Sequence, residues 1–354
     1  MTGSRVLITG GAGFIGTNLA HRFASLGHRV TVFDNLSRQG VEKNAAWLRT
    51  QHAESIRIEV ADVRDRAKVA SEVKGADTVI HLAAQVAVTS SLTDPRYDFD
   101  VNAGGTLNVL EALRSVNPAA VLIFTSTNKV YGQLEDLNLV QTTTRYQPKG
   151  ETAAVNEDSP LDFHSPYGCS KGTADQYVLD YARSFAIPAV VFRMSCIYGP
   201  HQMGTEDQGW IAHFLREAMA DKPITIFGDG RQVRDILFAD DLVDAFLLAR
   251  ANAAEISGEA FNIGGGLKNT ISLIELLREI HDLEGKTPSI QWSDWRQGDQ
   301  RYYVSDTRKF GVATGWHPKV GAQTGIKRLH EWLSNEYDSY PRSEAGGENA
   351  VLAY

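Results

Sequence analysis

The stretch Val6–Gly16 reads VLITGGAGFIG. An apolar run rich in Val and Ile stops at Thr9. Gly10, Gly13 and Gly16 follow, and an amphipathic stretch, FIGTNLAHRFASLG, starts inside them at Phe14. A short β-prone run, a glycine turn and a helical period make a strand–turn–helix unit. Glycine there permits a tight turn, a close approach of backbone to a pyrophosphate, and close packing of helix on strand. The helix start offers free N–H groups and a favourable dipole to an anion. A dinucleotide fingerprint also needs an acidic residue about 20 residues on, at the end of the next strand. Asp34 stands there, closing the run RVTVF. Its carboxylate can accept both ribose hydroxyls and would repel a 2′-phosphate, which favours NAD over NADP. Arg38, four residues further, pulls the other way.

Outward from this unit, RVTVF, IRIEV, DTVIH, VLIFT and PAVVFRMS recur as short apolar runs between amphipathic stretches such as YDFDVNAGGTLNVLEALRSV. Strands alternating with helices indicate a mainly parallel sheet covered on both faces. The expected fold is α/β: a Rossmann doubly wound parallel sheet over residues 1–195, with a smaller C-terminal α/β substrate-binding domain over 196–338. That second part interleaves with the first. It shows a helix near Gln208, strands at ITIF and RDILF, the stretch EAFNIGGG, and helices at DLVDAFLLARA, SLIELLREIHDL and TGIKRLHEWLSNE. Residues 339–354 carry no periodicity and read as a loose tail.

The 354 residues are 43% hydrophobic and 22% charged, with a formal net charge of -8. This suits a soluble globular enzyme with an ample core. No Lys/Arg run marks a nucleic-acid or anionic-membrane surface. No apolar stretch approaches the ~20 residues of a membrane span. No signal peptide precedes RVLITG, so a cytoplasmic setting is expected. Cys169 and Cys196 support neither a zinc spacing nor a disulfide framework and read as reduced thiols. No metal is expected.

Two further stretches carry chemistry. SPYGCSK places Tyr167 and Lys171 four residues apart on one helix face. Lys171 can hydrogen-bond a nicotinamide ribose, and its charge lowers the pKa of Tyr167 from ~10, making the phenol usable as a base. FTSTNKVYG, Phe124–Gly132, offers three hydroxyls and then Asn128 and Lys129. Asp62, in EVADV, ends the third strand, where an adenine edge would lie.

With TGGAGFIG, FDNLSR, HLAAQV, VNAGGT, VYG, SPYGCSK and GDGRQVRDILFADD, the chain resembles the extended short-chain dehydrogenase/reductases from Arg5 to about Trp332. The resemblance is to their nucleotide-sugar epimerase and dehydratase group. It implies a catalytic set of Thr127, Tyr167 and Lys171, the Thr127 hydroxyl sharing the substrate oxygen with Tyr167. It implies NAD held by Gly10, Gly13, Phe14, Ile15, Gly16, Asp34, Asn35, Ser37, Arg38, Asp62 and Val63. Leu82, Ala83, Ala84, Gln85, Asn102, Tyr167 and Lys171 complete the cofactor wall. NAD, regenerated in each cycle, would stay bound.

The dehydratases of this group carry an acidic pair just after the catalytic hydroxyl, which removes water from a keto sugar. Here that pair is Asn128 and Lys129. Asn cannot protonate a leaving hydroxide and Lys reverses the local charge, so what remains is hydride transfer out and back: epimerisation through a transient ketone. STNKVYG, LDFHSPYGCSKG and GRQVRD sharpen the resemblance to the branch that inverts C-2 of a CDP-linked hexose. A nucleotide-diphosphate sugar would then meet Thr127, Asn128 and Lys129, with Arg234 and Arg301 gripping the diphosphate by their planar forks. Trp210, Trp292 and Trp295 could stack a base or pack in a core, and His164 could assist proton traffic. The group pairs subunits through two helices, which implies a homodimer or homotetramer. The residues leave open the nucleotide base, the missing hydroxyls, and C-2 against C-4 inversion. A non-catalytic NAD-binding protein and a reductase exchanging NADP(H) are the remaining alternatives. The Thr–Tyr–Lys set argues against the first and Asp34 against the second.

Overall fold

The computed structural model of the chain describes residues 3–150, 154–296 and 298–338. The tail expected over 339–354 lies outside the described residues. Seven strands form one sheet: β1 (Arg5–Thr9), β2 (Arg29–Asp34), β3 (Ile56–Val60), β4 (Thr78–His81), β5 (Val121–Thr127), β6 (Ala189–Met194) and β7 (Ala260–Ile263). Their order is β7-β6-β5-β4-β1-β2-β3 and every pairing is parallel. The apolar runs read from the sequence coincide with these strands to within two residues. Asp62 falls two residues past the end of β3.

Alternate residues of each strand feed opposite cores. Ile8, Val32, Ile80 and Ile123 face one layer, which contains Leu19 and Phe23 of helix α1 (Phe14–Ser25). Leu7, Val79, Leu122 and Val191 face the other, with Val109 and Leu110 of α2 (Gly105–Val116) and Val178 of α3 (Ser165–Phe185). Both faces are therefore covered, and the strands need no polar side. A π turn, Asp100–Gly104, opens α2 and sets Asn102 inward.

The chain runs from β1 outward to β3 and then returns to β4 on the other side of β1. Such a reversal leaves a crevice at the carboxyl ends of the strands. After β6, the chain builds a smaller body. Cys196–Tyr198, Val233–Phe238, Thr270–Ser272 and Tyr302–Tyr303 form one sheet, and Ile224–Phe227 pairs with Ile290–Ser293. Helices α4 (Trp210–Met219), α6 (Leu273–Glu284) and α7 (Ala322–Asp338) pack over these strands, while α5 (Ala239–Ala251) returns to the α1 side of the large sheet. β7 also goes back, pairing Phe261 with Phe192 of β6. Late segments thus complete the early sheet, and the smaller body overhangs the crevice.

Candidate active site

A cleft of about 530 Å³ lies between the strand ends and the smaller body. Its floor begins at the glycine loop. Gly10 has φ 67°, and its N–H donates to the Phe33 carbonyl at 2.8 Å. A Cβ there would stand 2.8 Å from the Ala83 nitrogen, and one at Gly16 would stand 2.4 Å from the Gly10 carbonyl oxygen. Gly13 caps α1 with no side chain, so the first amides of the helix face the cleft uncovered. A pyrophosphate fits such a cradle, and a side chain on Gly10 or Gly16 would clash with the backbone that shapes it.

Beside the loop, Asp34 accepts the Ala12 N–H at 3.0 Å and the Leu36 N–H at 2.9 Å. Burial raises its pKa, while these amides and Arg38 oppose the rise. Arg38 lines the cleft and has its own pKa lowered by burial, with Asp34 opposing. Asn35 accepts from the Ser37 N–H and donates to Asp62. Asp62 is held by both arms of Arg64 at 2.9 and 2.8 Å, and its pKa falls to about 2. Asp34, Asn35 and Asp62 form a polar rim at the β2 and β3 ends, and only Arg38 of this group reaches the cleft wall.

Three residues expected at the cofactor have their side chains engaged elsewhere. Val63 is 4% exposed and belongs to the apolar core, where its carbonyl accepts from Asn108. Asn102 and Gln85 are saturated with each other: Asn102 accepts the Gln85 N–H at 2.9 Å, and its amide donates to the Gln85 carbonyl, Asp98 and Ser170. They brace the loop after β4 against α3 and offer the cleft no free side-chain group. Leu82 and Ala84 line the cleft; Ala83 packs toward the core.

The end of β5 and the start of α3 bring the expected catalytic groups together. The Thr127 hydroxyl stands close enough to the Tyr167 phenol to pull its pKa down. Both line the cleft, with Lys171 one helical turn further on. Their ionisation departs from expectation. Burial pushes the Tyr167 phenol up to about 12, with Thr127 pulling down and Asp98 pushing up. Burial also brings Lys171 down to about 8, opposed by Asp175 and Asp98. The Lys171 ammonium donates to the Thr125 carbonyl at 2.6 Å and lies 4.4 Å from the Phe124 ring centre. Desolvation, which sequence spacing does not report, outweighs the expected lowering of Tyr167 by Lys171.

Asn128 and Lys129 also line the cleft. Lys129 is part-buried, and desolvation followed by the nearby Arg234 charge lowers its pKa to about 8. Arg234 lines the cleft as expected. Arg301 does not. It is exposed, with its guanidinium 5.6 Å from the Tyr146 ring and 5.8 Å from the Trp295 ring. The cleft arginine from that segment is Arg296, which stacks 3.6 Å over Phe227 and pairs with Glu206 at 2.9 Å. Gly298, at φ 79°, turns the chain between the two arginines, so WRQGDQR sends them to different sides. The two arginines flanking GDQ were the available signal, and choosing between them needed the turn.

Of the three tryptophans, Trp210 lines the cleft with Cys196, whereas Trp292 and Trp295 are exposed. His164 pairs with Asp162 at 2.7 Å on an exposed face. Ser126, Thr89 and Gln232, unremarked in the sequence reading, line the cleft with a buried oxygen that has no partner. Unpartnered buried oxygens are a mark of a site built for a polar ligand. No cluster of metal-binding side chains occurs among the described residues.

The arrangement can cradle a dinucleotide along the glycine loop. It can place two hydroxyls at one substrate oxygen and set arginines at the far end for phosphates. Residues 6–264 match the NAD dependent epimerase/dehydratase family. The chain is 44% identical over 337 residues to the CDP-paratose 2-epimerase of Salmonella typhi, covering 94% of this chain and 99% of that protein. It is similar to the crystal structure of Thermus thermophilus UDP-glucose 4-epimerase in complex with NAD: TM-score 0.79, 32% identity, 93% and 99% of the two chains. DesIV, the dTDP-glucose 4,6-dehydratase of Streptomyces venezuelae solved with NAD, superposes with a TM-score of 0.81 at 26% identity, over 95% and 98% of the chains.

Proposed function

The chain belongs to the NAD dependent epimerase/dehydratase family, and we propose that it is an NAD-dependent 2-epimerase of a CDP-linked hexose. The observation that carries this reading is the end of β5. Thr127 meets Tyr167 and Lys171 there, and donors, Asn128 and Lys129, take the two positions where elimination would need acids. The near-full-length likeness to the Salmonella typhi enzyme supports C-2 and a CDP-linked substrate.

Bound NAD would supply the hydride acceptor and donor at the carbinol carbon. The chain supplies the rest. The Thr127 and Tyr167 hydroxyls converge on the oxygen at C-2. In its ionised form Tyr167 takes that oxygen's proton as the 2-keto intermediate forms, and the neutral phenol returns it on reduction from the other face. Lys171 holds its charge against the Thr125 carbonyl, behind the reacting hydroxyls. Gly10, Gly13 and Gly16 would seat the pyrophosphate, and Asp34 the adenosine ribose. Arg234 and Arg296 would take the substrate diphosphate. Because each turnover regenerates NAD, the cofactor remains bound. We place the enzyme in the cytoplasm as a homodimer or homotetramer. Leu107 and Val116 on α2 and Tyr177 and Phe185 on α3 are exposed apolar groups suited to pairing. No helix among the described residues is long and apolar enough to cross a membrane.

The test uses CDP-hexose carrying deuterium at C-2, run to equilibrium in ordinary water. Inversion at C-2 with the deuterium retained is expected. Loss of the label to solvent during C-2 inversion would refute hydride transfer, and inversion at C-4 with the C-2 label intact would make the enzyme a 4-epimerase.

A further inference from the structure

Asn128 and Lys129 do more than withhold an acid. Lys129 Nζ donates to the Gly298 carbonyl at 2.9 Å, and Asn128 Nδ2 donates to Gln300 Oε1 at 3.2 Å. The Gln300 amide in turn donates to the Gly132 carbonyl, just past the same short helical turn. Three hydrogen bonds, separated by about 170 residues of chain, thus tie the segment Gly298–Gln300 to the end of the catalytic strand. Arg296 and Asp299, immediately around that segment, both line the cleft. Thr127 belongs to the same network: its hydroxyl accepts the Lys129 N–H at 3.2 Å and lies 3.4 Å from Asn128 Oδ1.

The donor sense of this brace is fixed on both sides. Gly298 offers only a carbonyl, so residue 129 must donate. Gln300 spends its amide nitrogen on Gly132, so it shows its oxygen to residue 128, which must donate as well. A flipped Gln300 amide would only move the acceptor clash to the Gly132 carbonyl. Carboxylates at 128 and 129 would therefore face two acceptors.

We infer that Asn128 and Lys129 are positioning residues that lock the Gly298–Gln300 segment, and with it Arg296, against the catalytic strand, setting the distance between the reacting hydroxyls and the phosphate-binding arginine. This rests on the epimerase reading for its consequence in catalysis, but the brace itself does not.

The experiment compares wild type with Asn128→Asp, Lys129→Met, Lys129→Arg and Gln300→Leu. Three quantities are read: peptide-level hydrogen exchange over 294–301, the Kd of CDP by calorimetry, and the split between KM and kcat. Asn128→Asp, Lys129→Met and Gln300→Leu should each speed exchange of the segment and weaken CDP about tenfold, the scale of one lost hydrogen bond. The loss should fall on KM far more than on kcat, and Lys129→Arg should keep most of the binding. Asn128→Asp alone should recover as pH falls, because a protonated carboxyl can again donate to Gln300. Unchanged exchange and unchanged CDP affinity in all three disrupted variants would overturn the inference. So would a collapse of kcat at unchanged Kd, which would place these residues on the reacting atoms. If wild type bound no nucleotide diphosphate, the epimerase reading would fall, while the exchange result would still decide the brace.

Discussion

Replacing Asp175 by Asn should loosen the platform on which the catalytic helix rests. Asp175 lies one turn beyond Lys171 on α3 and is completely buried. Its two oxygens accept from Nε and Nη2 of Arg193 on β6, each at 3.0 Å. Arg193 Nη1 continues to the Tyr131 hydroxyl at 3.2 Å, and Tyr131 donates to Asn262 of β7 at 2.8 Å. One ion pair thus joins α3, the turn after β5, and the two late strands. Asn keeps the volume but removes the charge, and its amide nitrogen opposes the guanidinium donors. Arg193, 4% exposed, then has no counter-ion. Breaking one side of a buried pair costs ~3–5 kcal/mol, whereas replacing both sides with apolar groups is often neutral. Equilibrium urea unfolding followed by tryptophan fluorescence should show that loss for D175N, and a D175L/R193M double variant should recover most of it. A loss below about 1 kcal/mol for D175N would refute the reasoning. A double variant as unstable as the single would do so too, since shape rather than charge pairing would then be at stake.

Tyr167→Phe should lower kcat by ~10²–10⁴ while the protein still carries its nucleotide; retention of more than a tenth of the rate would remove Tyr167 from the proton path. Heat-denatured wild type should release NAD, and recovery of mainly NADP would overturn the role given to Asp34. Gly16→Ala, whose Cβ would stand 2.4 Å from the Gly10 carbonyl oxygen, should purify with little or no nucleotide; full occupancy would show that the loop yields. Lys171 and Lys129 both have pKa values lowered to about 8 by burial, so each is a cation below that pH and neutral above it. Activity should accordingly fall as pH rises past about 8, and a profile flat to well above 9 would count against any need for these charges.

Much of this protein is written locally. The short apolar runs RVLIT and RVTVF, and the glycines spaced through TGGAGFIG, specify strand, turn and helix from neighbouring residues alone. That suffices for a parallel sheet with a dinucleotide cradle at its switch point. Tyr167 and Lys171 share a helix face for the same reason, a fixed spacing on a regular element. EAFNIGGG shows where local reading stops: only assembly puts Ala260–Ile263 beside β6, about 70 residues earlier, as the last strand of the sheet.

The site's finer chemistry was decided by contacts that no local pattern encodes. Val63 reads as a loop residue after a strand, yet it seals the core because Gly105 lets α2 approach; a Cβ at Gly105 would stand 2.7 Å from Val63 Cγ2. Whether Arg296 or Arg301 enters the cleft depends on one left-handed turn at Gly298. The ionisation of Tyr167 depends on how much water the assembled protein excludes, and spacing carries no measure of that. Asn128 and Lys129 were legible as the absence of an acid pair. Their partners, Gln300 and Gly298, became visible only once a segment about 170 residues away had folded back onto the strand, because hydrogen-bond partners are chosen by position in space and the sequence orders them only along the chain.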